Sequence, residues 1–465
     1  MPRRETSRHQ IPQSFRYLHT LNRHPIRHEK YSTKHKTNHR IEYAYDPDDG
    51  IEHFAGYCAG GYLPVKIGDE FCSSRYRVVH KLGHGGYSTV WLAYDNRTSR
   101  HVAIKIARSE VESPHETKIL RMLKGKIESG ESRPGSEFLP HLLDAFEVLG
   151  PEIAGSRGVH QCTVTAPARM SVSEARDCGK YGLFQPQVAR AMVAQLVQAM
   201  VYLHSIGVVH ADLHEGNILL QFPSSFDDLT TKQIYETYGE PKLIPATRLD
   251  GQPLDEWVPR VGVVPIFLGT DSEKVRLEDA RILLSDFGES FLPEDDPRFE
   301  SHIPHIMRPP EMFLDPRSRM SFPADIWALG CTIFALLGRS TLIDRWCWSD
   351  DEIIAEQLDV IGTFPAEWRL RWSKRHKYYN RAGEPHERPR TLADRVEDSI
   401  QEPRREASME AMGDDERCAL IGLLQAMLSA RPKHRITAQQ VLESNWVIRW
   451  AEPALRLMQR TRAVN

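Results

Sequence analysis

Long apolar runs, paired cysteines and internal repeats are all missing from this 465-residue sequence. A bilayer-spanning helix needs roughly 20 apolar residues, whereas the longest apolar stretch here, Ile326 to Leu337, is shorter and fits a buried helix. The seven cysteines form no C-x-x-C motif, which argues against a disulfide framework or a zinc site and favours free thiols in a reducing compartment. The composition, 40% hydrophobic and 26% charged, is that of a soluble globular protein.

Positive charge is concentrated at the N-terminus. Residues 1–40 contain ten Lys or Arg residues against Glu5 and Glu29, a net charge of +8, so the rest of the chain contributes −11 to the total of −3. We interpret residues 1–45 as a disordered basic tail. A mitochondrial presequence is the alternative, although the tail has no amphipathic apolar stripe. The acidic remainder predicts no direct binding to nucleic acid and suits a basic peptide better.

The order of the hydrophobic patterns predicts an α+β protein with two lobes, a small β-rich lobe with one helix and a larger helical lobe. Strands are expected at 75–95 (two, joined by a glycine turn), 101–108, 141–148 and 158–165. Helices are expected at 113–123 and 185–205, and helical patterns dominate after residue 317. Residues 222–278, rich in Pro and Gly, and the charged residues 372–412 are expected to be surface insertions, partly disordered.

A glycine-containing turn and a lysine on the following strand form the first candidate site. In "LGHGGYSTV", Gly83 and Gly85 would let backbone amides approach phosphate oxygens, although any hairpin can contain glycines. Lys105, in "VAIK", would be costly to bury without an anionic partner, and Glu116 on the next helix is a candidate. The alternative is a surface lysine on an edge strand.

Two further motifs point to phosphoryl transfer. In "VVHADLHEGNILL" (208–220), Asp212 could accept a proton from a substrate hydroxyl, and Asn217 could hold a magnesium ion. Asp286, in "LLSDFGES", is a strand-end carboxylate followed by Phe-Gly, a pattern typical of a residue that holds a metal bridging phosphates. Their order along the chain, after the glycine turn and the lysine, is very improbable by chance.

With these motifs the chain resembles a eukaryotic protein kinase from about residue 76 to 449. Glu311 in "RPPE", Asp325 in "ADIWALG" and Arg435 in "RPKHRIT" match further family motifs. The resemblance implies that Asp325 braces the catalytic loop and that Arg435 pairs with Glu311. The stretch "RYRVVHKLGHGGYSTVWLAYD" is similar to the SR-protein kinases, in their fungal branch. The resemblance implies a kinase domain over 46–449, with an N-lobe at about 76–167, a C-lobe at about 168–449, insertions at 222–278 and 372–412, and a C-terminal tail at 450–465.

The resemblance also implies a function, a serine/threonine protein kinase that uses ATP and Mg²⁺ on protein substrates, including Arg/Ser-rich ones. The implied catalytic residues are Asp212, Lys105, Glu116, His214 and Asn217, and the implied metal ligands are Asn217 and Asp286. The implied nucleotide-binding residues are Leu82, Gly83, His84, Gly85, Gly86, Tyr87, Ser88, Thr89, Val90, Ala103, Lys105 and Asp286. A monomer without membrane attachment, in the cytoplasm or nucleus, is expected.

Two residues of the catalytic loop depart from the usual kinase pattern. Ala211 replaces an arginine that in many kinases pairs with a phosphate on the activation segment, so we expect activity without phosphorylation of that segment. His214 replaces a lysine that contacts the transferred phosphate, which predicts a slower enzyme. "HADLHEGN" is also similar to the loop of aminoglycoside and choline phosphotransferases, so a small-molecule kinase is one alternative and a catalytically silent scaffold is another.

An acidic cluster opens a helix in the C-lobe, formed by Asp350, Asp351 and Glu352. In SR-protein kinases an acidic groove in this region holds basic substrate segments, and this cluster is a candidate for that role. The alternative is a helix N-terminus whose charges complement the helix dipole.

Overall fold

The computed structural model describes residues 43–44, 50–110, 115–131, 133–153, 155–300, 302–315, 317–344, 346–347, 349–380 and 384–464. Apart from Tyr43 and Ala44, the predicted basic tail lies outside these residues, as does the start predicted for the first helix at Ser113 and Pro114. All seven cysteines are free thiols. Within the described residues, no helix has the length and apolar character needed to cross a membrane.

A six-stranded antiparallel sheet forms the N-lobe, in the order β2-β3-β4-β5-β7-β6. A two-residue strand, β1 (Tyr43–Ala44), precedes it. The strands of the sheet are β2 (Glu70–Phe71), β3 (Tyr76–His84), β4 (Ser88–Asp95), β5 (Arg100–Ala107), β6 (Asp144–Ile153) and β7 (Ser156–Thr165). Helix α1 (His115–Glu128) lies between β5 and β6 and buries Ile119, Leu120 and Leu123. The sequence pattern predicted β3, β4 and β5 closely and β6 and β7 approximately, whereas it did not predict β1 or β2.

The C-lobe is helical and surrounds the long buried helix that the apolar pattern predicted. Its first elements are β8 (Ala168–Ser171), α2 (Val172–Cys178), α3 (Pro186–Ser205) and β9 (Ile218–Gln221). After the first insertion come β13 (Ile282–Leu284), α5 (Pro310–Leu314), α6 (Phe322–Leu337), α7 (Asp350–Ile361), α8 (Ala366–Arg371), α9 (Leu392–Val396), α10 (Glu402–Glu406), α11 (Asp414–Met427), α12 (Ala438–Leu442) and α13 (Glu452–Val464). Helices α3 and α6 are buried along almost their whole length and form the centre of the core. The two-lobed α+β fold is therefore confirmed.

The first insertion, residues 222–278, is folded and does not form the partly disordered surface segment expected: most of it packs on the N-lobe, whereas Val275 near its end is buried in the main core. It contains α4 (Thr231–Tyr238), β10 (Leu243–Pro245), β11 (Thr247–Arg248) and β12 (Val261–Val263). Phe226, Ile234 and Leu268 pack with Val79 of β3 and Leu92 of β4 in one apolar cluster. The expectation failed because it weighed the Pro and Gly residues above the apolar side chains between them.

The chain end also differs from the expectation of a tail. Helix α13 packs along α3, and Ala454, Leu455 and Met458 are buried in the main core. Their spacing of one, three and four residues gives the helix an apolar side, a periodicity that the division at residue 449 overlooked. In the second insertion, Leu392, Val396 and Ile400 are likewise buried in the main core.

Candidate active site

Lys105 lies on the face of the N-lobe sheet that meets the C-lobe. It is paired with Val90 across β4 and β5, and Ala103 is two residues before it on the same strand. Because cross-strand partners and residues at i and i+2 share a face of a sheet, Val90, Ala103 and Lys105 point to the same side. The structure thus brings these three predicted nucleotide-binding residues onto one surface.

The ammonium of Lys105 joins the two lobes through two carboxylates. Its Nζ lies 2.8 Å from Glu116 Oε2 on α1 and 2.7 Å from Asp286 Oδ1, which follows β13. Burial by itself would lower the pKa of Lys105, but the charges of Asp286 and Glu116 outweigh it and raise the pKa. The predicted Lys–Glu pair is therefore formed, and the lysine is held in its charged state.

Asp286 is held in a form suited to binding a cation. The charge of Lys105 is the largest effect on its carboxyl and lowers its pKa to about 2, so the group is ionised. Its backbone has a positive φ of 61°, which is uncommon for a residue other than glycine. The N–H of Gly288 donates to Asp286 Oδ1 at 3.3 Å, and this bond supports the turn.

The catalytic loop places Asp212 and Asn217 in direct contact. Asn217 Nδ2 donates to the carbonyl of Asp212 at 2.9 Å and to its Oδ2 at 3.0 Å. The other carboxylate oxygen, Asp212 Oδ1, is buried and has no hydrogen-bond partner among the described residues. A buried carboxylate oxygen without a donor is costly, so this atom is available to accept a hydrogen bond from a substrate hydroxyl.

Asp325 fixes the backbone of the catalytic loop from α6. Its Oδ2 accepts from the N–H of His210 at 2.8 Å and its Oδ1 from the N–H of Ala211 at 2.9 Å. Ala211 has a positive φ of 64°, a conformation that costs an L-residue roughly 1–2 kcal/mol. The buried Asp325 thus compensates for strain in the loop and plays the bracing role predicted from "ADIWALG".

His214 lies close to Asp212, the residue predicted to be catalytic. Its Nδ1 accepts from the N–H of Gly216 at 3.1 Å, so in the neutral ring Nε2 carries the proton. Nε2 lies 3.7 Å from Asp212 Oδ1, a distance beyond a direct hydrogen bond. The imidazole therefore lies beside the oxygen that would face a substrate hydroxyl.

The activation segment, residues 286–311, is held by its own side chains. Arg298 Nη1 donates to the carbonyl of Glu289 at 2.7 Å, and the guanidinium lies 4.6 Å from the ring centre of Phe291. His302 Nδ1 lies 3.0 Å from Glu289 Oε1, and this hydrogen bond raises the pKa of His302. Val209 and Phe291 form a two-bond bridge between the catalytic loop and this segment.

A buried ion pair closes the segment at its far end. Arg435 Nη1 and Nη2 donate to the two oxygens of Glu311 at 2.8 and 2.5 Å. The guanidinium also lies 5.2 Å from the ring centre of Trp327 on α6. The pair predicted between Glu311 and Arg435 is therefore present, in the bidentate geometry that arginine favours.

A second buried pair beside the catalytic loop was missed by sequence reasoning. Arg176 on α2 donates to Glu215 Oε1 at 3.0 Å, and also to the carbonyls of Ala335 and Arg339 at 3.0 and 2.9 Å. It ties the turn between Asp212 and Asn217 to the body of the C-lobe. Glu215 stands inside the quoted catalytic loop, but nothing in the sequence pattern identifies Arg176 as its partner.

The acidic cluster of the C-lobe has partners within the chain. Asp351 accepts from Trp372 Nε1 at 2.8 Å and from Lys374 Nζ at 2.7 Å, and Asp350 lies 3.4 Å from His305. Ser349 and Glu352 form a capping box at the start of α7. These contacts are those of a capped helix N-terminus, the alternative given for this cluster.

The fold and the cleft residues define a phosphotransferase with protein-kinase architecture, and comparison with known proteins agrees. The family model described as "Protein kinase domain" matches residues 76–227 and 272–447. The chain therefore belongs to the protein kinase family, whose members use ATP and Mg²⁺. The unmatched residues 228–271 fall within the first insertion.

Individual relatives narrow the position of the chain within the protein kinase family. The chain is 27% identical to a serine/threonine protein kinase of Aspergillus fumigatus over 85% of its own length and 90% of the relative's. It is 26% identical to the serine/threonine-protein kinase SRPK of Physarum polycephalum, again over 85% and 90% of the two chains. Mouse SRSF protein kinase 3 is 35% identical over 37% of this chain and 30% of its own length. These matches confirm the prediction of a serine/threonine protein kinase similar to SR-protein kinases.

Proposed function

We propose that this chain transfers the γ-phosphate of ATP to serine or threonine hydroxyls of protein substrates, using Lys105, Glu116, Asp212, Asn217 and Asp286. The observation that supports this most strongly is the convergence of Lys105 with both Glu116 and Asp286, at 2.8 and 2.7 Å. A charged lysine paired with a carboxylate on the helix of the N-lobe is what a kinase needs to grip phosphates.

The proposed nucleotide site combines a positively charged side chain, Lys105, with a negatively charged one, Asp286. Lys105 would hold the phosphates, and residues 82–90 would cover them. Asp286 and Asn217 would hold Mg²⁺, which supplies charge neutralisation at the phosphate oxygens. An ionised carboxylate and an amide oxygen are donors that suit a hard cation, and the depressed pKa of Asp286 keeps this ligand charged.

Asp212 would orient the attacking hydroxyl and accept its proton. Its Oδ1 is buried and without a partner, whereas Asn217 holds Oδ2 at 3.0 Å. A base with one oxygen fixed and the other still without a donor is oriented before the hydroxyl arrives. The rate gain would come mainly from this positioning and from charge stabilisation.

Activity of this kinase would not require phosphorylation of the activation segment. Ala211 has no guanidinium to pair with a phosphate, and it packs with Val209, Phe291 and Met320 in an apolar cluster. Arg298, by contrast, is bound to the carbonyl of Glu289 within the segment itself. The segment thus has internal contacts in the place of a phosphate–arginine pair.

Arg/Ser-rich proteins are the substrate class we propose. The relatives include an SRSF protein kinase, and the chain outside its basic N-terminus is acidic. The proposal does not rest on Asp351, because Trp372 and Lys374 already bind its carboxylate. The free cysteines favour a reducing compartment, the cytoplasm or the nucleus.

Transfer of labelled phosphate from Mg-ATP tests the proposal. Purified full-length protein would be offered an Arg-Ser repeat peptide, a Lys-Ser repeat peptide of equal charge, and a panel of aminoglycosides and choline. We expect serine labelling that is strongest on the Arg-Ser peptide. Asp212→Asn should lower the rate by a factor of about 10²–10⁴, the range for loss of a general base.

Asp415→Asn is the matched control for this experiment, since Asp415 is a strongly exposed carboxylate on α11. It should label the peptide at the wild-type rate. Labelling of the small molecules alone would identify a small-molecule kinase. ATP binding without any Asp212-dependent transfer would contradict the proposed catalytic role.

A further inference from the structure

Residues 50–65 precede the matched kinase domain and cross the outside of the glycine-rich turn; we call them the N-terminal strap. Tyr62 of the strap donates through its Oη to the carbonyl of Gly85 at 2.8 Å and, more weakly, to that of Gly86 at 3.3 Å. On the other side of the turn, His84 Nε2 lies 3.1 Å from the carbonyl of Gly50. The strap therefore contacts the turn at both ends.

Arg108, at the end of β5, completes the contact. Its Nη1 donates to the carbonyl of Gly86 at 3.2 Å, and its guanidinium lies 5.1 Å from the ring centre of Tyr62. Its backbone N–H donates to the carbonyl of Tyr87 at 2.9 Å. The carbonyls of Gly85, Gly86 and Tyr87 thus all accept hydrogen bonds, either from Tyr62 of the strap or from Arg108.

The strap itself is fixed to the N-lobe. The N–H groups of Ser109 and Glu110 donate to the carbonyls of Gly61 and Gly60 at 3.1 and 2.9 Å. Glu52 of the strap forms a fully buried ion pair with Lys81 of β3. The ring of Tyr62 leaves no room for a Cβ at Gly56, where one would lie 2.5 Å from the ring. Tyr62 is therefore a fixed donor.

Peptide geometry links these contacts to the cleft. In a trans peptide the C=O and the following N–H point in opposite directions, so binding the carbonyls of Gly85 and Gly86 outward turns the N–H groups of Gly86 and Tyr87 inward. Within the described part of the chain, neither N–H donates a hydrogen bond. Backbone N–H groups presented in this way bind phosphate oxygens.

Apart from these contacts, nothing in the described part of the chain packs against the glycines at the tip of the turn. A Cβ added at Gly83, Gly85 or Gly86 would meet no atom within 4 Å, and the side chain of Tyr87 is 59% exposed. Glycine-rich backbone without packing has a high conformational entropy. The carbonyl contacts from Tyr62 and Arg108 are therefore what limits its motion.

We propose that Tyr62 is a positioning residue for the nucleotide phosphates, which acts by holding the glycine-rich turn with its amides facing the cleft. The inference rests on the proposed function, because it assumes that ATP binds beneath this turn. Ordering the turn before the nucleotide arrives reduces the entropy lost on binding, so the strap would tighten nucleotide binding and slow its release.

Binding of a fluorescent ADP analogue with Mg²⁺ to the full chain tests this role. Tyr62→Phe keeps the ring and removes only the hydroxyl. We expect its Kd and its dissociation rate to rise about three- to tenfold, the usual effect of one hydrogen bond. Hydrogen exchange of the amides at residues 83–88 should become faster in the free protein.

Tyr235→Phe is the matched control, because Tyr235 Oη donates to the carbonyl of Val79, in β3 but outside the turn, at 2.7 Å. It should leave Kd and exchange at 83–88 unchanged. If Tyr62→Phe fails to fold, Arg108→Gln removes the neighbouring donor and should give the same shift. Wild-type-like Kd and exchange in a folded variant would overturn the inference, whereas a wild-type protein that does not bind Mg-ADP would overturn the proposed function instead.

Discussion

Individual residues of the catalytic loop show why a motif with two replaced residues can still form a complete site. At Ala211 the backbone, rather than the side chain, meets the structural requirement, because Asp325 binds its N–H and supports its positive φ. The missing arginine removes a phosphate contact without removing that support. At His214 the N–H of Gly216 orients the ring. The imidazole that stands in the place of the lysine is therefore a positioned but weaker donor.

Restoring lysine at residue 214 should raise turnover. A lysine ammonium is fully charged at pH 7, whereas an ordinary imidazole carries full charge only below about pH 6.5. One charge-assisted contact contributes about 1.5–3 kcal/mol, so we expect kcat of His214→Lys to rise about tenfold or more at pH 7.5.

His386→Lys is the control for this measurement, since His386 is exposed on the second insertion. It should leave kcat unchanged. An unchanged kcat in His214→Lys would mean that the side chain at this position never contacts the transferred phosphate.

At the scale of elements, most of the first insertion behaves as part of the N-lobe. Phe226 is 3% exposed, stacks on Phe222 with 3.7 Å between ring centres, and lies 5.6 Å from the ring of His101 on β5. Tyr235 of α4 binds the carbonyl of Val79 in β3. Such contacts extend the apolar core of the N-lobe sheet.

Phe226→Ala should therefore destabilise the protein as a core substitution does. Loss of a buried phenylalanine costs about 3–5 kcal/mol of the free energy of unfolding, which denaturant titration would measure. Phe267→Ala, in the same insertion but 43% exposed, should cost less than about 1 kcal/mol. Equal, small losses for the two variants would show that the insertion is only loosely attached.

Sequence reasoning worked best for elements with a strong local signal. Sequence reasoning placed the two strands around the glycine turn, the strand that contains Lys105 and the helix at 185–205 almost to the residue. Alternation and apolar periodicity are local properties, so they can be recognised without the tertiary fold. Contacts between distant segments were not predictable in this way. Two such contacts, Arg176 with Glu215 and Tyr62 with Gly85, join parts of the chain that only the tertiary fold brings together. The first insertion was misjudged because its Pro and Gly content was taken as a sign of disorder.

At the scale of the whole molecule, the site exists only where the two lobes meet. Lys105 and Glu116 come from the N-lobe, whereas Asp286, Asp212 and Asn217 come from the C-lobe, and the 2.7 Å contact of Lys105 with Asp286 joins the two groups. The activation segment reaches the same cleft and is held by Arg298 and by the bridge at Phe291. We therefore propose that the cleft is complete without a phosphate on this segment.

The most direct test is the initial rate of phosphate transfer from Mg-ATP to the Arg-Ser peptide by enzyme freed of phosphate. The protein would be treated with a phosphatase, separated from it, checked by mass and compared with untreated protein. Equal, Asp212-dependent rates are predicted, because the segment is held by its own residues. Loss of activity on dephosphorylation, with recovery after rephosphorylation, would contradict the account.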